Sequence, residues 1–389
     1  MVDILHYIIN AAVTALLVIA ILRAIPFLHM LQLEGYKNKR FIKWLVTNPA
    51  KILIVRPIKE PKKKLVFTAR ATRLFVLTLF LLAFVAYYFF TLSPLFFVTA
   101  ILICICVPIL LILSNVLIHP LEAVINNLYL KSAKKRLQML KPKVIAITGS
   151  YGKTSTKDFL ATILSKRYKV LKTPGSFNTP MGICKVIRGE LKPEHEIFIV
   201  EMGAKEKGNI KELCDLVRPE IGIITAIGPQ HLETFKTMES VVSTKYELIE
   251  SLPVEGIAVL NNDDENCRNL VKRIKEKEIL LYGINRDNKK LHLTAKNIST
   301  DSHGIYFQVQ NGKALTVPCH CNLLGRHNVY NILAAATVAL EFGMSLHEIA
   351  EAIKVLEPTP HRLQLIRGAG GVTVIDDAFN ANPVGARMA

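Results

Sequence analysis

Acidic residues are scarce in the first third of this sequence. Residues 1–140 hold 4 Asp/Glu against 17 Lys/Arg, whereas the remaining 249 residues hold 27 against 32. Charge of either sign is missing from three long runs in the same third: Ile4–Leu22, Leu74–Leu92 and Leu95–Ile118. A basic excess alone would fit nucleic acid. Here it is interleaved with uncharged apolar runs, which points to a membrane and away from nucleic acid. A disulfide framework is also missing. The cysteines Cys104, Cys106, Cys184, Cys214, Cys267, Cys319 and Cys321 show no paired pattern, as expected of a reducing compartment. Cys319-His320-Cys321 has the spacing of a strand, with both sulfurs on one face and no second Cys/His pair nearby. It reads as structural rather than as a metal site. No internal repeat or low-complexity tract is visible.

Each uncharged run is close to the roughly 20 residues that cross a hydrocarbon core about 30 Å thick. The reading is an all-α transmembrane region of three helices over residues 1–118, with spans at 4–22, 74–92 and 95–118. Ser93-Pro94 makes a tight turn between the last two. A cleaved signal peptide fits the first span poorly, because Met1–Asp3 has no basic residue and no small-residue cleavage site follows. Between the first two spans, Arg23–Arg73 carries 13 Lys/Arg and 2 acidic residues, including Lys62-Lys63-Lys64. A basic loop of this kind is expected in the cytoplasm. That orientation leaves everything after about residue 119 cytoplasmic, and Lys131, Lys134, Lys135 and Arg136 agree with it. Residues 119–142 read as an amphipathic connector near the membrane surface. The expectation is a multi-pass protein of the inner cell membrane with a cytoplasmic catalytic domain.

From Lys143 the pattern changes. Short apolar runs recur at VIAIT, EIFIVE, IGIITAI, GIAVL and ILLY, most of them separated by helical patterns of about ten residues or more. Alternating strands and helices predict an α/β domain with a mostly parallel sheet. Between Leu291 and Val317, short strand-like pieces and Asn-Gly or Asp-Ser-His-Gly turns predict a small antiparallel excursion at its edge. Helices are expected again over 328–343 and 345–356.

The stretch VIAITGSYGKTS has the form of a phosphate loop. A strand is followed by Gly149-Ser150-Tyr151-Gly152, and Lys153-Thr154-Ser155 opens a helix. Glycines let backbone N–H groups close on phosphate, the helix N-terminus favours anions and the lysine neutralises β/γ oxygens. The Thr154 hydroxyl is placed for Mg²⁺. The loop has two residues between its glycines where the common motif has four.

This shortened loop, T-G-S-x-G-K-T, resembles the ATP site of the Mur ligases, the amide-forming enzymes of peptidoglycan precursor synthesis. Further motifs follow in the family's order across about residues 143–385. Thr173-Pro-Gly-Ser-Phe-Asn178-Thr179-Pro-Met-Gly182 looks like the substrate-facing loop, implying substrate contacts from Asn178 and Thr179. Glu201, in Glu201-Met-Gly-Ala204, matches a Mg²⁺ ligand. His231, in Gly228-Pro-Gln-His-Leu-Glu233, matches the second metal site. Lys245 stands where many members carry a carbamylated lysine. Gly325-Arg-His327-Asn328-Val-Tyr-Asn331 looks like the adenine-binding segment, and Asp377, in Asp376-Asp-Ala-Phe-Asn-Ala-Asn-Pro383, like the ribose aspartate. Together they most resemble the branch that adds D-alanyl-D-alanine. The resemblance implies ATP, two Mg²⁺ ions and a carbamate on Lys245 as cofactors. It also implies catalytic roles for Lys153, Lys245 and His231.

The residue types suit that chemistry. A carboxylate must be activated as an acyl phosphate before an amine can attack it, and charge neutralisation with alignment dominates such a step. Taken singly, each residue has a plainer role. Glu201 could serve a helix N-cap, His231 and Lys245 could be solvated, and His327 and Asn328 could cap the following helix. His303, His361 and Arg362 are loop residues without an assigned role.

Two departures from the family matter. Three apolar spans stand where a UDP-sugar domain is expected, so the acceptor is read as a nucleotide- or lipid-linked cell-wall precursor, with an amino acid or dipeptide as the amine and membrane lipid as a partner. Residues 143–375 read as the central ATP-binding domain. Residues 376–389 read as the start of a C-terminal ligase domain, either cut short or absent from this member. The alternative to a membrane-anchored ligase is a non-catalytic, ATP-binding membrane scaffold or regulator.

Overall fold

The computed structural model describes residues 2–50, 64–92, 96–175, 177–230, 232–284, 291–301, 303–312, 315–368 and 372–378. The chain divides into two compact units, Met1–Asn127 and Leu128–Ala389.

The first unit is helical: α1 (Val2–Leu33), α2 (Asn38–Thr47), α3 (Ala69–Leu92) and the greater part of α4 (Phe96–Leu140). Ala24, Phe27, Leu28 and Leu31 repeat at helical spacing along α1 and pack with Leu74 and Leu82 of α3 and Val107 and Leu111 of α4. This stripe corrects the expected loop over 23–73. The helix does not stop at the first charge, Arg23, because apolar residues continue on its packed face to Leu31. Residues 51–63, with Lys62 and Lys63, and the Ser93-Pro94 turn lie outside the described residues. Among the described residues, Ala69–Tyr88 and Ile105–Leu140 are long and apolar enough to cross a membrane. Val18–Leu33 and Asn38–Thr47, bent by 120°, make a third if the pair is one span.

The expected connector from His119 is continuous with α4, which carries Pro108 and Pro120 inside it. From Leu128 this helix belongs to the second unit. There Ala133 and Leu137 are buried in the domain core, and Arg136 Nε donates to the Leu191 carbonyl at 2.9 Å.

The second unit is built on a nine-stranded sheet, in the order β2-β3-β1-β4-β5-β6-β7-β8-β9. Its strands are β1 (Lys143–Thr148), β2 (Val170–Lys172), β3 (Ile197–Glu201), β4 (Ile221–Ile224), β5 (Ile257–Asn261), β6 (Glu278–Gly283), β7 (Leu293–Asp301), β8 (Gly304–Asn311) and β9 (Leu315–Cys321). Pairing is parallel from β2 to β7 and antiparallel through β8 and β9, as expected. The central strands are apolar throughout because both faces are covered. Ile145, Ile147, Ile199 and Ile223 face α5 (Lys153–Leu164), α11 (His327–Glu341) and α12 (Leu346–Lys354). Val144, Ala146, Phe198 and Val200 face α6 (Pro180–Gly189), α7 (Asn209–Val217) and α9 (Met238–Glu250). The short α8 (Leu232–Phe235) and α10 (Glu265–Val271) complete the helices. A hairpin, β10 (Gln364–Arg367) with β11 (Thr373–Asp376), stands apart from the main sheet. Strand β1 lies between β3 and β4, so chain direction diverges there. Parallel sheets bind ligands in the crevice beyond the strand ends at such a point.

Cys319 and Cys321 both enter the core from β9, and burial pushes their thiols up to about 12 and about 11. His320, on the opposite face, stacks on Tyr306 at 4.4 Å. The arrangement agrees with the structural reading of this triplet.

Candidate nucleotide and metal site

The phosphate loop joins β1 to α5 and is tied to the segment after β4. Ser150 N–H donates to Ala226 O at 2.7 Å. Its hydroxyl donates to Gly228 O at 2.8 Å and accepts from Gly228 N–H at 3.0 Å. The Thr225 hydroxyl holds the Tyr151 carbonyl, and the Tyr151 hydroxyl donates to Pro229 O at 2.8 Å. Gly152 has a left-handed φ of 78°, and a Cβ there would lie 2.3 Å from Asn331 Oδ1, so only glycine fits. Lys153 opens α5, and its ammonium bridges the carbonyls of Gly149 (2.8 Å) and Ser150 (3.3 Å). Burial lowers the Lys153 pKa to about 8; Glu201 opposes the shift and Arg362 adds to it. Thr154 and Ser155 are buried in the same turn, and the Thr154 hydroxyl accepts from Arg362 Nη2 at 3.3 Å.

Glu201 ends β3 beside this loop and is 2 % exposed. Its Oε2 pairs with Lys157 Nζ at 3.3 Å, and its Oε1 accepts from Asn178 Nδ2 at 3.2 Å. Asn178, expected to meet substrate, thus orients the carboxylate. Thr179 caps α6, accepting from Gly182 N–H at 3.3 Å. Lys157 was missed by the sequence reading. It sits one helical turn beyond Lys153, fully buried, with its ammonium also on the Gly175 carbonyl. The available signal was a lysine among the inward positions Phe159, Leu160 and Leu164 of an amphipathic helix.

Lys245, on α9, is 1 % exposed. Burial and the positive charge of Lys153 lower its pKa to about 7, against Glu247 and Glu201. Two residues on, the Glu247 carboxylate accepts from the N–H groups of Gly208 (2.7 Å) and Lys211 (3.0 Å) and so fixes the start of α7. His231 lies outside the described residues. Among the described residues, no three His, Cys, Asp or Glu side chains gather as a metal cluster.

A cavity of about 340 Å³ opens beside the loop, lined by Tyr151, Ile227, Asn261, Asp264, His327 and Tyr330. A second, of about 110 Å³, is lined by Lys153, Thr154, Asn328, Arg362 and Asp377. The two share Tyr151, Gly152, His327 and Asn331. His327 Nδ1 is buried without a partner, and burial holds its imidazole below the usual histidine value against the pull of Asp377. Asn328 donates to Leu324 O at 2.8 Å and accepts from Asn331 Nδ2 at 2.9 Å, while Asn331 Oδ1 accepts from Thr156 at 3.2 Å. Asp377 accepts from Leu363 N–H at 3.2 Å. His361 and Arg362, unassigned from sequence, bracket this end: His361 Nδ1 lies 2.7 Å from Asp376 Oδ2. The larger lobe suits a base and sugar, and the smaller, with a helix N-terminus and two cations, suits phosphates.

Residues 147–339 match the Mur ligase middle domain. This part of the chain belongs to the Mur ligase family. Similar curated proteins are the UDP-N-acetylmuramoyl-tripeptide–D-alanyl-D-alanine ligases of Escherichia coli and Bacillus subtilis. The first is 34% identical over 245 residues, covering 63% of this chain and 53% of that protein. The second is 32% identical over 258 residues, covering 66% and 54%. The chain therefore spans about half the length of the curated relatives it matches. MurF from Acinetobacter baumannii superposes with a TM-score of 0.62 at 28% identity, over 68% of this chain and 56% of that one. MurF ligase from Thermotoga maritima in complex with ADP gives 0.60 at 27%, over 68% and 59%. These Mur ligase matches agree with the α/β sheet and its order of motifs.

Proposed function

We propose that this chain is a membrane-anchored, ATP-dependent ligase that forms an amide bond on a cell-wall precursor, with release of ADP and phosphate. The observation that carries the reading is the grouping of Lys153, Glu201 and Lys245 near the phosphate loop, where the charge of Glu201 acts on both lysines and that of Lys153 acts on Lys245. In the first step a carboxylate oxygen of the acceptor attacks the γ-phosphorus of ATP, and the β–γ bridging oxygen leaves with ADP. In the second, the amine nitrogen attacks the acyl carbon, the acyl–oxygen bond to phosphate breaks, and the amine loses a proton. Lys153 and the first N–H groups of α5 stabilise charge on the transferring phosphoryl group. His327 and Asn331 line the base and ribose side, whereas Asn328 and Asp377 line only the smaller, phosphate lobe.

The hydroxyl of Thr154 and the carboxylate of Glu201 are hard oxygen donors that fit Mg²⁺. Glu201 would exchange its contact with Lys157 or Asn178 for the ion, which when bound neutralises phosphate charge. Lys245, with a pKa near 7, offers the neutral amine that reacts with CO₂. As a carbamate it would supply an anionic oxygen ligand to a second ion, together with His231. The named activity of the relatives suggests a UDP-linked muramoyl tripeptide and D-alanyl-D-alanine as substrates. The apolar helices of the first unit favour anchoring at the membrane and admit a lipid-linked acceptor.

The test is to incubate the full chain with ATP and Mg²⁺, D-alanyl-D-alanine, and either the UDP-linked or the polyprenyl-linked acceptor. Phosphate release requiring both acceptor and amine is expected. Nucleotide binding without turnover on any pair would point instead to a scaffold.

A further inference from the structure

Helix α2 is the part of the first unit that no apolar run in the sequence announces. It carries three basic residues and no acidic one in ten, NKRFIKWLVT. Ten helical residues extend about 15 Å, half of a hydrocarbon core, so α2 is too short and too charged to complete a span begun by α1. Its faces are sharply divided. Phe41 and Leu45 are buried, with the Phe41 ring 6.4 Å from Phe27 of α1. Beside them, Ile42 and Val46 are 44% and 72% exposed, and next around the helix come the exposed Lys39 and Lys43. On the other flank Trp44 stacks on Phe41 at 6.1 Å. Exposed branched apolar side chains adjoining lysines and a tryptophan are the pattern of a helix lying in a membrane interface.

The bend before α2 fixes its level. Gly35 and Tyr36 both take left-handed backbone, with φ of 66° and 59°. Asn115 Nδ2 of α4 donates to Tyr36 O at 3.0 Å and to Asn38 Oδ1 at 2.7 Å, and the Arg70 guanidinium of α3 lies 4.1 Å from the Tyr36 ring centre. These contacts come where both neighbours change character. On α3 the uncharged run begins after Arg70 and Arg73, and on α4 Asn115 stands one turn before the run closes at Ile118, ahead of Glu122. The start of α2 is thereby held at the border between apolar and polar surface, with its axis turned by 120° from that of α1.

We infer that α2 is an interfacial helix that docks on an anionic phospholipid surface, with Ile42 and Val46 at the acyl boundary and Lys39 and Lys43 among the headgroups. The inference rests on the reading of α1, α3 and α4 as a membrane anchor. It replaces the bent pair as one span by α1 alone followed by a helix in the headgroup layer.

Trp44 is the single tryptophan of the chain, so its fluorescence reports on α2 alone. The full chain is reconstituted in phosphatidylcholine vesicles with or without phosphatidylglycerol, carrying nitroxide-labelled lipid with the label near the headgroup or deep in the acyl chain. The expected result is stronger quenching by the shallow label, increased by phosphatidylglycerol and reduced by salt. K39E/K43E should remove most of the phosphatidylglycerol-dependent part. Stronger quenching by the deep label would make α2 part of a span, and no quenching by either would place it in water; both overturn the inference. Extraction of the same vesicles at alkaline pH tests the anchor separately. A chain that resists extraction but shows no lipid quenching of Trp44 keeps its anchor and loses this role for α2.

Discussion

The two units handle positive charge in opposite ways. In the helical unit the lysines of α2 remain exposed at the edge of apolar surface, and the buried Glu122 meets Arg73, 35% exposed, at 2.6 Å. In the α/β unit, Lys157 and Lys245 are almost wholly buried, and the charge of Lys153, at the start of α5, acts on Lys245. Burying an ammonium costs several kcal/mol unless a partner offsets it. Here three are gathered around Glu201, whose negative charge acts on all of them. On the functions proposed above, exposed charge in this molecule marks where a surface sits, and the buried lysines mark where chemistry takes place.

The largest test of that contrast removes the buried charges singly. Lys153→Met should lower acceptor-dependent phosphate release about 10³-fold, the scale of losing a preorganised electrostatic contact, and should weaken nucleotide binding too. Lys245→Ala should abolish turnover but spare ATP binding, measured by equilibrium titration. Unchanged turnover in Lys245→Ala would refute its role as a metal ligand. Loss of ATP binding as well would mean that it only supports the phosphate loop.

Stability should separate Lys157 from both. Its ion pair with Glu201 is sealed from solvent, with side chains 0% and 2% exposed. Breaking such a pair from one side costs about 3–5 kcal/mol, because a buried charge is left uncompensated. Lys157→Met should therefore destabilise α5 and β3 by that amount in hydrogen exchange, and Lys157→Met/Glu201→Gln should recover much of it. Equal losses in the single and double variants would show that packing, not charge, sets the cost.

A smaller effect is expected from pH. Lys245 is held at about 7 against an ordinary 10.5. Between those values the unfolded chain binds a proton that the folded chain does not, so this group's contribution to stability grows as pH rises through that window and is lost below about 7. The amine that captures CO₂ must be neutral, so CO₂-dependent turnover should rise through pH 7. Lys153 must be charged to meet phosphate, so kcat/KM for ATP should fall above its value of about 8. A profile flat from pH 6 to pH 9 would remove both groups from the reaction.

Much of the α/β unit was legible because its signals are local. VIAIT before two glycines and a lysine specifies strand, turn and helix within a dozen residues, and continuous apolar strands announce a doubly covered sheet. Lys157 and Arg362 were not legible, since their roles depend on Glu201, 44 residues away, and on Thr154, more than 200 residues away. Asn178 reads from sequence as substrate-facing, and in the fold its amide donates to Glu201. The helical unit misled the reading at its charges. Arg23 looked like the end of a helix, but an apolar stripe continued on the far side of it.

The smallest expected effect uses one residue that shows both behaviours. The Lys211 ammonium pairs with Asp215 one turn along α7 at 3.2 Å, with both side chains more than half exposed, and such pairs contribute about 0.5 kcal/mol or less. Its backbone N–H instead donates to the buried Glu247, which also holds Gly208 N–H at the same helix start. Lys211→Ala leaves that backbone bond in place and should change the unfolding midpoint hardly at all. Glu247→Gln keeps the shape but gives up the charge that faces two N–H groups, and it should cost more, about 1–2 kcal/mol. If the two variants cost the same, burial is not what makes a charge matter at this helix, and the contrast between the units loses its physical basis.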